Sequence, residues 1–251
     1  AIIKMLPEKK IVVLLKGYKG KLTGTIKVDQ GKHSITDTGD EALLYAKVGT
    51  TYICSNRKDA IETIIINDNP DLIILDDGLQ DSSITKSKSI IAINGRRGFG
   101  NKLLLPSGPL RQKISSIMNN NYIFLILGEN KTNIVSKYED NFFQAEIFSE
   151  IDGNNRDIVA FSGIGDNEGF FQTLENYRFN LIKKISFPDH YNFSENEIKT
   201  IVDDAAKNGH EIYTTAKDWV RLNAKYKNMI KQFSINLEIK DKEKFIEVLL
   251  K

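Results

Sequence analysis

The sequence contains few of the residues that define several familiar classes of protein. One cysteine among 251 residues excludes an internal disulfide and a zinc site built from several cysteines. No apolar run approaches the roughly 20 residues of a membrane-spanning helix, and there is no signal-peptide core. The 35 basic and 33 acidic residues nearly cancel, so the net charge of +2 predicts no nucleic-acid partner. The remaining profile, 41% hydrophobic and 27% charged, is that of a soluble globular protein.

A phosphate-binding loop of the form Gly-x-x-x-x-Gly-Lys-Ser/Thr is also absent. The nearest candidate, Gly17 to Leu22, has the wrong spacing and no hydroxyl residue after its lysine. No nucleotide-binding residue is therefore assigned from the sequence.

An apolar run at residues 72–75 ends abruptly in two carboxylates, Asp76 and Asp77, followed by Gly78. An apolar run without polar alternation predicts a strand buried on both faces of a parallel sheet. Ligands bind at the carboxyl edge of such sheets, where acidic side chains can hold a Mg²⁺ ion that carries nucleotide phosphates. An acidic turn that simply joins two elements explains the same residues.

Strands and helices alternate along the chain, which predicts the α/β class. Strands are expected at 11–15, 51–54, 71–75, 89–93 and 122–127, in one doubly wound, mostly parallel sheet. These strands fall in a predicted domain of residues 1–140. A polar linker is expected at 141–156, and a second, smaller α/β domain at 157–251, with a last strand over 233–239.

The first residues resemble the end of a helix that leads into the strand at 11–15. A helix that feeds a buried strand is usually preceded by another strand. We therefore expect a further segment upstream of Ala1.

Three features could carry chemistry. His190 lies in a polar loop that Pro188 stiffens, where a neutral imidazole could relay a proton. Asp40 and Glu41 begin a helix after Gly39. Their carboxylates could simply complement the helix dipole, or they could act as a base and a metal ligand. The Gly-x-Gly at 163–165 could bind an anion or serve only helix–strand packing.

Together these segments resemble the tetraacyldisaccharide 4'-kinases, the lipid A 4'-kinases of Gram-negative bacteria. The matching segments are, in order, Lys16-Gly17-Tyr18, Gly39-Asp40-Glu41, Asp76-Asp77-Gly78-Leu79-Gln80, Gly98-Phe99-Gly100-Asn101, the run from Leu104 to Arg111, Phe161-Ser162-Gly163-Ile164-Gly165, Phe187-Pro188-Asp189-His190 and the run from Thr214 to Leu222. These segments are spread over nearly the whole chain, and their occurrence in this order is specific for the family.

The resemblance implies a P-loop kinase-like fold that phosphorylates the 4'-hydroxyl group of a lipid A disaccharide precursor, with ATP and Mg²⁺. It implies a glycolipid substrate and peripheral contact with the cytoplasmic face of the bacterial inner membrane. The site residues that it implies are Asp40 and His190 for catalysis, Asp76 and Glu41 for the metal, and Asp77, Arg57, Gln80 and Lys16 for the substrate.

The sequence departs from the family's pattern in several places. The family's phosphate loop, first strand and membrane-anchoring helix are expected upstream of Ala1, so residues 1–251 alone are expected to transfer phosphate poorly. Lys16 stands where the family usually has arginine, which removes bidentate anion binding. Asp81 replaces a usual histidine, and Ala216 replaces a usual glutamate.

Two other functions remain open from the sequence. One is a non-catalytic, truncated remnant or glycolipid-binding protein with the same fold. The other is a sugar-nucleotide enzyme with an unrelated α/β fold.

Overall fold

The computed structural model describes residues 1–18, 20–117, 121–129 and 139–251. Their contacts divide the chain into two compact units. The larger unit contains Ile2–Ser83 and Ser149–Ser234, and the smaller contains Ile84–Phe148 and Ile235–Lys251 together with Ala1. Each unit combines β-sheet with α-helix, which confirms the α/β class.

The strands and helices follow one another along the whole chain. The strands are β1 (Ile11–Leu15), β2 (Ile26–Lys27), β3 (Thr50–Ile53), β4 (Leu72–Leu75), β5 (Ser89–Asn94), β6 (Tyr122–Leu127), β7 (Phe142–Phe148), β8 (Asp157–Ser162), β9 (Asn180–Ser186), β10 (Glu211–Thr215), β11 (Ile230–Phe233) and β12 (Asn236–Ile239). The α-helices are α1 (Ile2–Met5), α2 (Ile35–Thr38), α3 (Asp40–Ala46), α4 (Arg57–Asp68), α5 (Asn167–Asn176), α6 (Glu195–Lys207), α7 (Ala216–Arg221), α8 (Ala224–Lys227) and α9 (Lys242–Leu250). No helix in the described ranges is long and apolar enough to cross a membrane.

The first sheet of the larger unit has the order β2-β3-β1-β4. Strand β1 is parallel to β3 and β4, so that Val13 lies between Thr51 and Ile74. All five residues of β1 are buried, as its unbroken apolar run predicts. Helix α4 begins at the expected cap, where the Asn56 side chain accepts a hydrogen bond from the backbone N–H of Lys58.

The second sheet of the larger unit has the order β11-β10-β8-β9 and is parallel throughout. Helix α6 begins with the predicted capping box, in which the Ser194 and Glu197 side chains each bond to the other's backbone N–H. Trp219 and Val220 of α7 pack against the apolar core of the first sheet, and Trp219 also packs against the core beside β8 and β10. The partly buried side chain of Trp219 therefore contacts the cores of both sheets of this unit.

The smaller unit has one sheet, in the order β12-β7-β6-β5. Strands β5, β6 and β7 are parallel, and β12 is antiparallel to β7. Phe245 of α9 is fully buried and packs edge-on against Phe143 at a ring-centre distance of 5.2 Å. This sheet holds α9 against its apolar face.

Three details differ from the sequence-based expectation. Strands β5 and β6 form a sheet with β7 and β12, so they do not join β1, β3 and β4 in one sheet. Residues 142–148 of the expected linker form strand β7, because Phe143 and Ala145 alternate into the core. The expected strand 233–239 is divided between β11 and β12, which belong to different sheets. The boundary between domains 1–140 and 157–251 stays a prediction.

Candidate active site

Parallel strands β1, β3 and β4 bring three polar loops to one edge of the first sheet. Lys16 and Gly17 follow β1, Arg57 comes shortly after β3, and Asp76 and Asp77 follow β4. The carboxyl edge of a parallel sheet is the usual place for ligands. The structure therefore brings together side chains that the sequence separates by up to some sixty residues.

Gly39 fixes the position of Asp40 at the first turn of α3. Its φ of 87° lies in the region that favours glycine, and a Cβ atom there would approach the backbone oxygen of Tyr18 to 2.6 Å. Asp40 is 8% exposed, and its Oδ1 accepts a hydrogen bond from the backbone N–H of Glu41 at 2.9 Å. The close packing against the Tyr18 backbone thus requires a residue without a side chain before Asp40.

Asp40 and His190, predicted as a pair, lie next to each other in the larger unit. The distance from Asp40 Oδ2 to His190 Nδ1 is 3.5 Å. Residue His190 has a φ of 57°, which is uncommon for a residue with a side chain, and its backbone N–H donates to the Gly163 oxygen at 3.1 Å. The structure confirms this proximity, whereas the catalytic roles of the two residues stay a prediction.

Arg221, at the end of α7, contacts both members of this pair. Its Nε donates to Asp40 Oδ2 at 2.9 Å, its Nη2 also contacts that oxygen, and Nη2 lies 3.1 Å from His190 Nδ1. Its Nη1 donates to the Gly163 oxygen at 3.2 Å and to Asp218 Oδ1 at 3.1 Å. The guanidinium is therefore held on several sides, and its planar group is oriented towards Asp40.

Asp218 binds Arg221 and also holds two neighbouring groups in place. It is fully buried, and its Oδ2 accepts hydrogen bonds from the backbone N–H of Gly163 at 3.0 Å and from the Thr215 hydroxyl at 2.7 Å. Sequence reasoning assigned no role to Arg221 or Asp218. Their spacing of three residues on a helix was the available signal, since it places both side chains on one face.

A second cation lies on the other side of the imidazole. Lys217 Nζ donates to Glu41 Oε1 at 2.9 Å and lies 3.5 Å from His190 Nε2. Glu41, predicted as a metal ligand, is thus an ion-pair partner of Lys217 in this structure, with a side chain that is 45% exposed. The His190 ring therefore lies among two cations and two carboxylates, since Asp189 Oδ1 is 4.0 Å from its Nε2.

The surroundings of Asp40 lower the pKa of its carboxyl group. Burial by itself would raise that pKa, but the hydrogen bonds and charge of Arg221 outweigh burial, with smaller contributions from Lys217 and His190. Asp40 is therefore ionised over the whole neutral range, as a proton acceptor must be.

The pKa of Asp76 is shifted in the opposite direction. Burial is the main cause of the rise, and the negative charges of Glu41 and Asp77 add to it, although hydrogen bonds with the Asp77 backbone and with Tyr45 oppose them. The pKa of Tyr45 rises to about 12, because it is buried beside Asp76 and Glu41. Tyr45 is a member of the site that sequence reasoning missed.

The donor chemistry at Asp76 fits a divalent cation. The negative charges of Glu41 and Asp77 beside Asp76 create a potential that such a cation relieves, and Mg²⁺ is usually held by one or two carboxylates together with water and phosphate oxygens. In the part of the chain that the structure describes, no three His, Cys, Asp or Glu side chains gather closely enough to hold a metal ion. Asp76 and Glu41 are thus suited to a metal site that water and phosphate oxygens complete, rather than to one formed by protein ligands alone.

Arg57 lies beneath the loop that follows β4. Its side chain is 2% exposed, and Nη2 donates to the backbone oxygens of Asp76 at 2.5 Å and of Asp77 at 3.2 Å. Its Nη1 donates to Asp81 Oδ2 at 3.2 Å, and Asp81 has a pKa lowered to about 2, mainly by its hydrogen bonds from Ser83. The structure gives Arg57 a supporting position under this loop rather than a surface from which to contact substrate.

The other predicted substrate residues are exposed at the same edge. Lys16, Asp77 and Gln80 all have exposed side chains, and Asp77 has a φ of 46°. Their exposure is compatible with the predicted role.

A cavity of about 710 Å³ borders the charged network on the side of α7. Arg221, Leu43 and Trp219 are among its lining residues. Its volume is within the range of small-ligand pockets.

Comparison with known proteins gives a consistent result. A family model described as "LpxK: Tetraacyldisaccharide-1-P 4'-kinase" matches residues 1–251. Proteins named tetraacyldisaccharide 4'-kinase from Rickettsia typhi and Rickettsia felis are each 34% identical to this chain, over 88% and 91% of it and over 70% and 72% of their own lengths. A protein of the same name from Sinorhizobium fredii is 34% identical over 83% of this chain and 62% of its own.

One solved structure matches nearly all of the fold. It is the apo form LpxK from Aquifex aeolicus in complex with ATP, with a TM-score of 0.76 over 99% of this chain and 81% of that chain. At 24% sequence identity, this likeness shows the fold alone.

Proposed function

Because the chain belongs to the tetraacyldisaccharide-1-P 4'-kinase family, we propose that Asp40 and His190 carry its reaction, the ATP-dependent phosphorylation of the 4'-hydroxyl group of tetraacyldisaccharide 1-phosphate. The observation that carries this assignment is the distance of 3.5 Å between Asp40 Oδ2 and His190 Nδ1. Family membership does not favour the non-catalytic alternative, and it argues against an unrelated sugar-nucleotide enzyme.

Asp40 is the proposed base. Its lowered pKa keeps the carboxylate ionised, and in phosphoryl transfer a carboxylate accepts the proton of the attacking hydroxyl group. His190 is close enough to share that proton or to orient the carboxylate. Arg221 and Lys217 flank the imidazole and place positive charge where phosphate oxygens would gather.

Asp76 and Glu41 are the residues that would hold Mg²⁺. When bound, the metal ion supplies charge neutralisation of the phosphate oxygens and a template for their orientation. The raised pKa of Asp76, which results from burial and from the negative charges of Glu41 and Asp77, supports this placement.

The proposed glycolipid contacts are Lys16, Asp77 and Gln80, which are exposed at the same edge. Arg57 would help indirectly, since it holds the backbone oxygens of Asp76 and Asp77. A substrate with four acyl chains resides in a membrane, so we propose that the protein works in peripheral contact with the cytoplasmic face of the inner membrane.

The test uses steady-state phosphorylation of tetraacyldisaccharide 1-phosphate with ATP and Mg²⁺. We expect Asp40→Asn to lower kcat by about 10²-fold or more with little change in KM, because it removes the base and keeps the shape. His190→Gln should have a smaller effect, and the double variant should lose less than the product of the two. Asp59→Asn, on the surface of α4, is the matched control, and normal turnover by Asp40→Asn would remove Asp40 from the chemistry.

Residues 1–251 contain no phosphate loop, so we expect this stretch by itself to turn over slowly. The same assay on a chimera with the N-terminal segment of a related enzyme is the comparison. Equal turnover by residues 1–251 and by the chimera would show that another part of this chain binds the nucleotide. Glycolipid binding without phosphate transfer in both proteins would support the non-catalytic alternative.

A further inference from the structure

Residues 82–128 contain no aspartate and no glutamate. The same stretch has seven lysines and arginines, although the whole chain has 35 basic and 33 acidic residues. The near balance of the whole chain therefore conceals a local cationic segment. Almost all of this segment belongs to the smaller unit.

The segment also exposes three consecutive leucines. Leu103, Leu104 and Leu105 are 52%, 39% and 62% exposed. They lie in residues 101–110, which we name the leucine loop. Burial of a leucine side chain stabilises a fold, so three consecutive exposed leucines forgo a large part of that stabilisation. A contiguous exposed apolar patch usually marks an interaction surface.

The leucine loop is ordered rather than loosely folded. The backbone N–H groups of Leu105 and Leu110 donate to the oxygens of Leu110 and Leu103, at 2.9 and 3.1 Å. The Gly108 N–H donates to the Leu104 oxygen at 3.0 Å, and the Asn101 side chain bridges the loop to the Ser107 oxygen at 2.8 Å. These bonds hold the backbone closed while the leucine side chains point outward, so their exposure is a built feature of the fold.

Exposed basic residues flank the leucines along the sequence. Lys102 immediately precedes them, and Arg96, Arg111 and Lys113 are exposed on the flanking residues. Exposed apolar side chains among cations match the interface of an anionic bilayer, where leucines enter the acyl boundary and cations meet lipid phosphates. Nucleic acid would use the cations but would leave the leucines in water.

We propose that the leucine loop docks on an anionic lipid bilayer, with Leu103, Leu104 and Leu105 inserted and Arg96 and Lys102 against the headgroups. This surface deepens the proposed function, because it gives the proposed membrane contact a defined place in the chain. It is argued from the loop itself, and its test requires no phosphorylation.

The first test is co-sedimentation with vesicles of phosphatidylglycerol and phosphatidylcholine in equal parts. The variant Leu103→Ser/Leu104→Ser/Leu105→Ser should bind at least about tenfold more weakly, because it removes the inserted apolar surface. The matched control is Ile66→Ser/Ile182→Ser, which removes apolar side chains that are 81% and 49% exposed elsewhere. The control should bind like the unchanged protein, and circular dichroism should show both variants folded.

The second test concerns charge. Arg96→Gln/Lys102→Gln should weaken binding to the anionic vesicles by about fivefold for each charge removed, and added salt should reduce that difference. Lys58→Gln/Lys199→Gln is the control of equal charge on the larger unit. Pure phosphatidylcholine vesicles should bind all these proteins weakly.

Undiminished vesicle binding by the leucine variant, or an equal loss in the isoleucine control, would overturn the proposal. So would retention on heparin or an acidic protein without vesicle binding. If Asp40→Asn loses phosphorylation but still binds vesicles, the result supports the proposed role of Asp40 and shows that vesicle binding does not depend on the reaction. An active kinase whose leucine variant still binds vesicles would reject this surface and leave the proposed function in place.

Discussion

Asp40 and Asp76 are the same type of residue in the same unit, yet their pKa values move in opposite directions. Arg221 lowers the pKa of Asp40 against the effect of burial, whereas burial and the neighbouring carboxylates raise the pKa of Asp76. Opposite shifts in neighbouring titratable groups mark a division of tasks in active sites. The two shifts support the proposal that Asp40 is the proton acceptor and that Asp76 belongs to the cation site.

Replacement of Arg221 by glutamine tests the first of these shifts. Without the guanidinium, burial remains as the main influence, so the pKa of Asp40 should rise and the acid limb of the pH profile of kcat should move to higher pH. Arg221→Lys should restore part of the shift, because it keeps the charge and loses the bidentate contact. An acid limb that stays in place would show that Arg221 does not tune Asp40.

The same variant makes a prediction for stability. A carboxyl group whose pKa is lowered on folding stabilises the folded state at pH values above its ordinary pKa of 3.8. That contribution disappears as the pH falls through the lowered pKa. The unfolding free energies of the unchanged protein and of Arg221→Gln should therefore differ most at neutral pH and converge in acid. Urea titrations at several pH values measure this difference.

Asp76→Asn separates function from stability. Because the pKa of Asp76 is raised on folding, its ionised form destabilises the folded state at neutral pH, and an amide relieves that cost. We expect an unfolding free energy at pH 7 that does not decrease, together with a fall of about 10²-fold or more in Mg²⁺-dependent turnover. A clear loss of stability with normal turnover would assign Asp76 a structural role instead.

Helix α3 depends on the tight turn that precedes it. Gly39 and Gly24 both have a φ of 87°, but a Cβ atom at Gly39 would lie 2.6 Å from the Tyr18 oxygen, whereas at Gly24 it would meet nothing within 4 Å. Gly24→Ala therefore measures the cost of a positive φ alone, which is about 1–3 kcal/mol.

Gly39→Ala should cost more than Gly24→Ala, because it adds the steric clash, and it should also reduce turnover by displacing Asp40. Urea unfolding and the phosphorylation assay give the two readings. Equal effects of the two substitutions on both readings would show that the Tyr18 backbone moves aside without consequence for α3.

The two sheets of the larger unit should unfold together. Trp219 packs against the cores of both sheets, and Cys54, the chain's one cysteine, is 3% exposed beside β3. Burial raises the pKa of the Cys54 thiol, which makes it still less reactive in the folded state. Thiol labelling and tryptophan fluorescence therefore report on the same unit from different places.

We expect both signals to change at the same urea concentration. In native buffer, Cys54 should react with a thiol reagent about a thousandfold more slowly than the exposed thiol of a Cys54→Ala/Ser55→Cys control. Separate midpoints would show that the two sheets open independently, contrary to their shared core.

The amino-acid sequence by itself determined the local structure of this protein. The apolar run of β1, the Asn56 cap of α4 and the capping box of α6 were all predictable, because they depend on neighbouring residues and on contact with water. Resemblance to a family then pointed to Asp40 and His190. Strand pairing was not predictable: β5 and β6 have the same apolar character as β1 and β4, and nothing local selects their partners.

Only the tertiary structure decided the electrostatics of the site. Arg221 meets Asp40 across 181 residues of sequence, and Tyr45 meets Asp76 from another element. The direction of each pKa shift follows from such distant neighbours and from burial, and both arise only when the sheets and helices pack together. A sequence names the ionisable groups, but folding sets the distances between their charges, and those distances determine what each group can do.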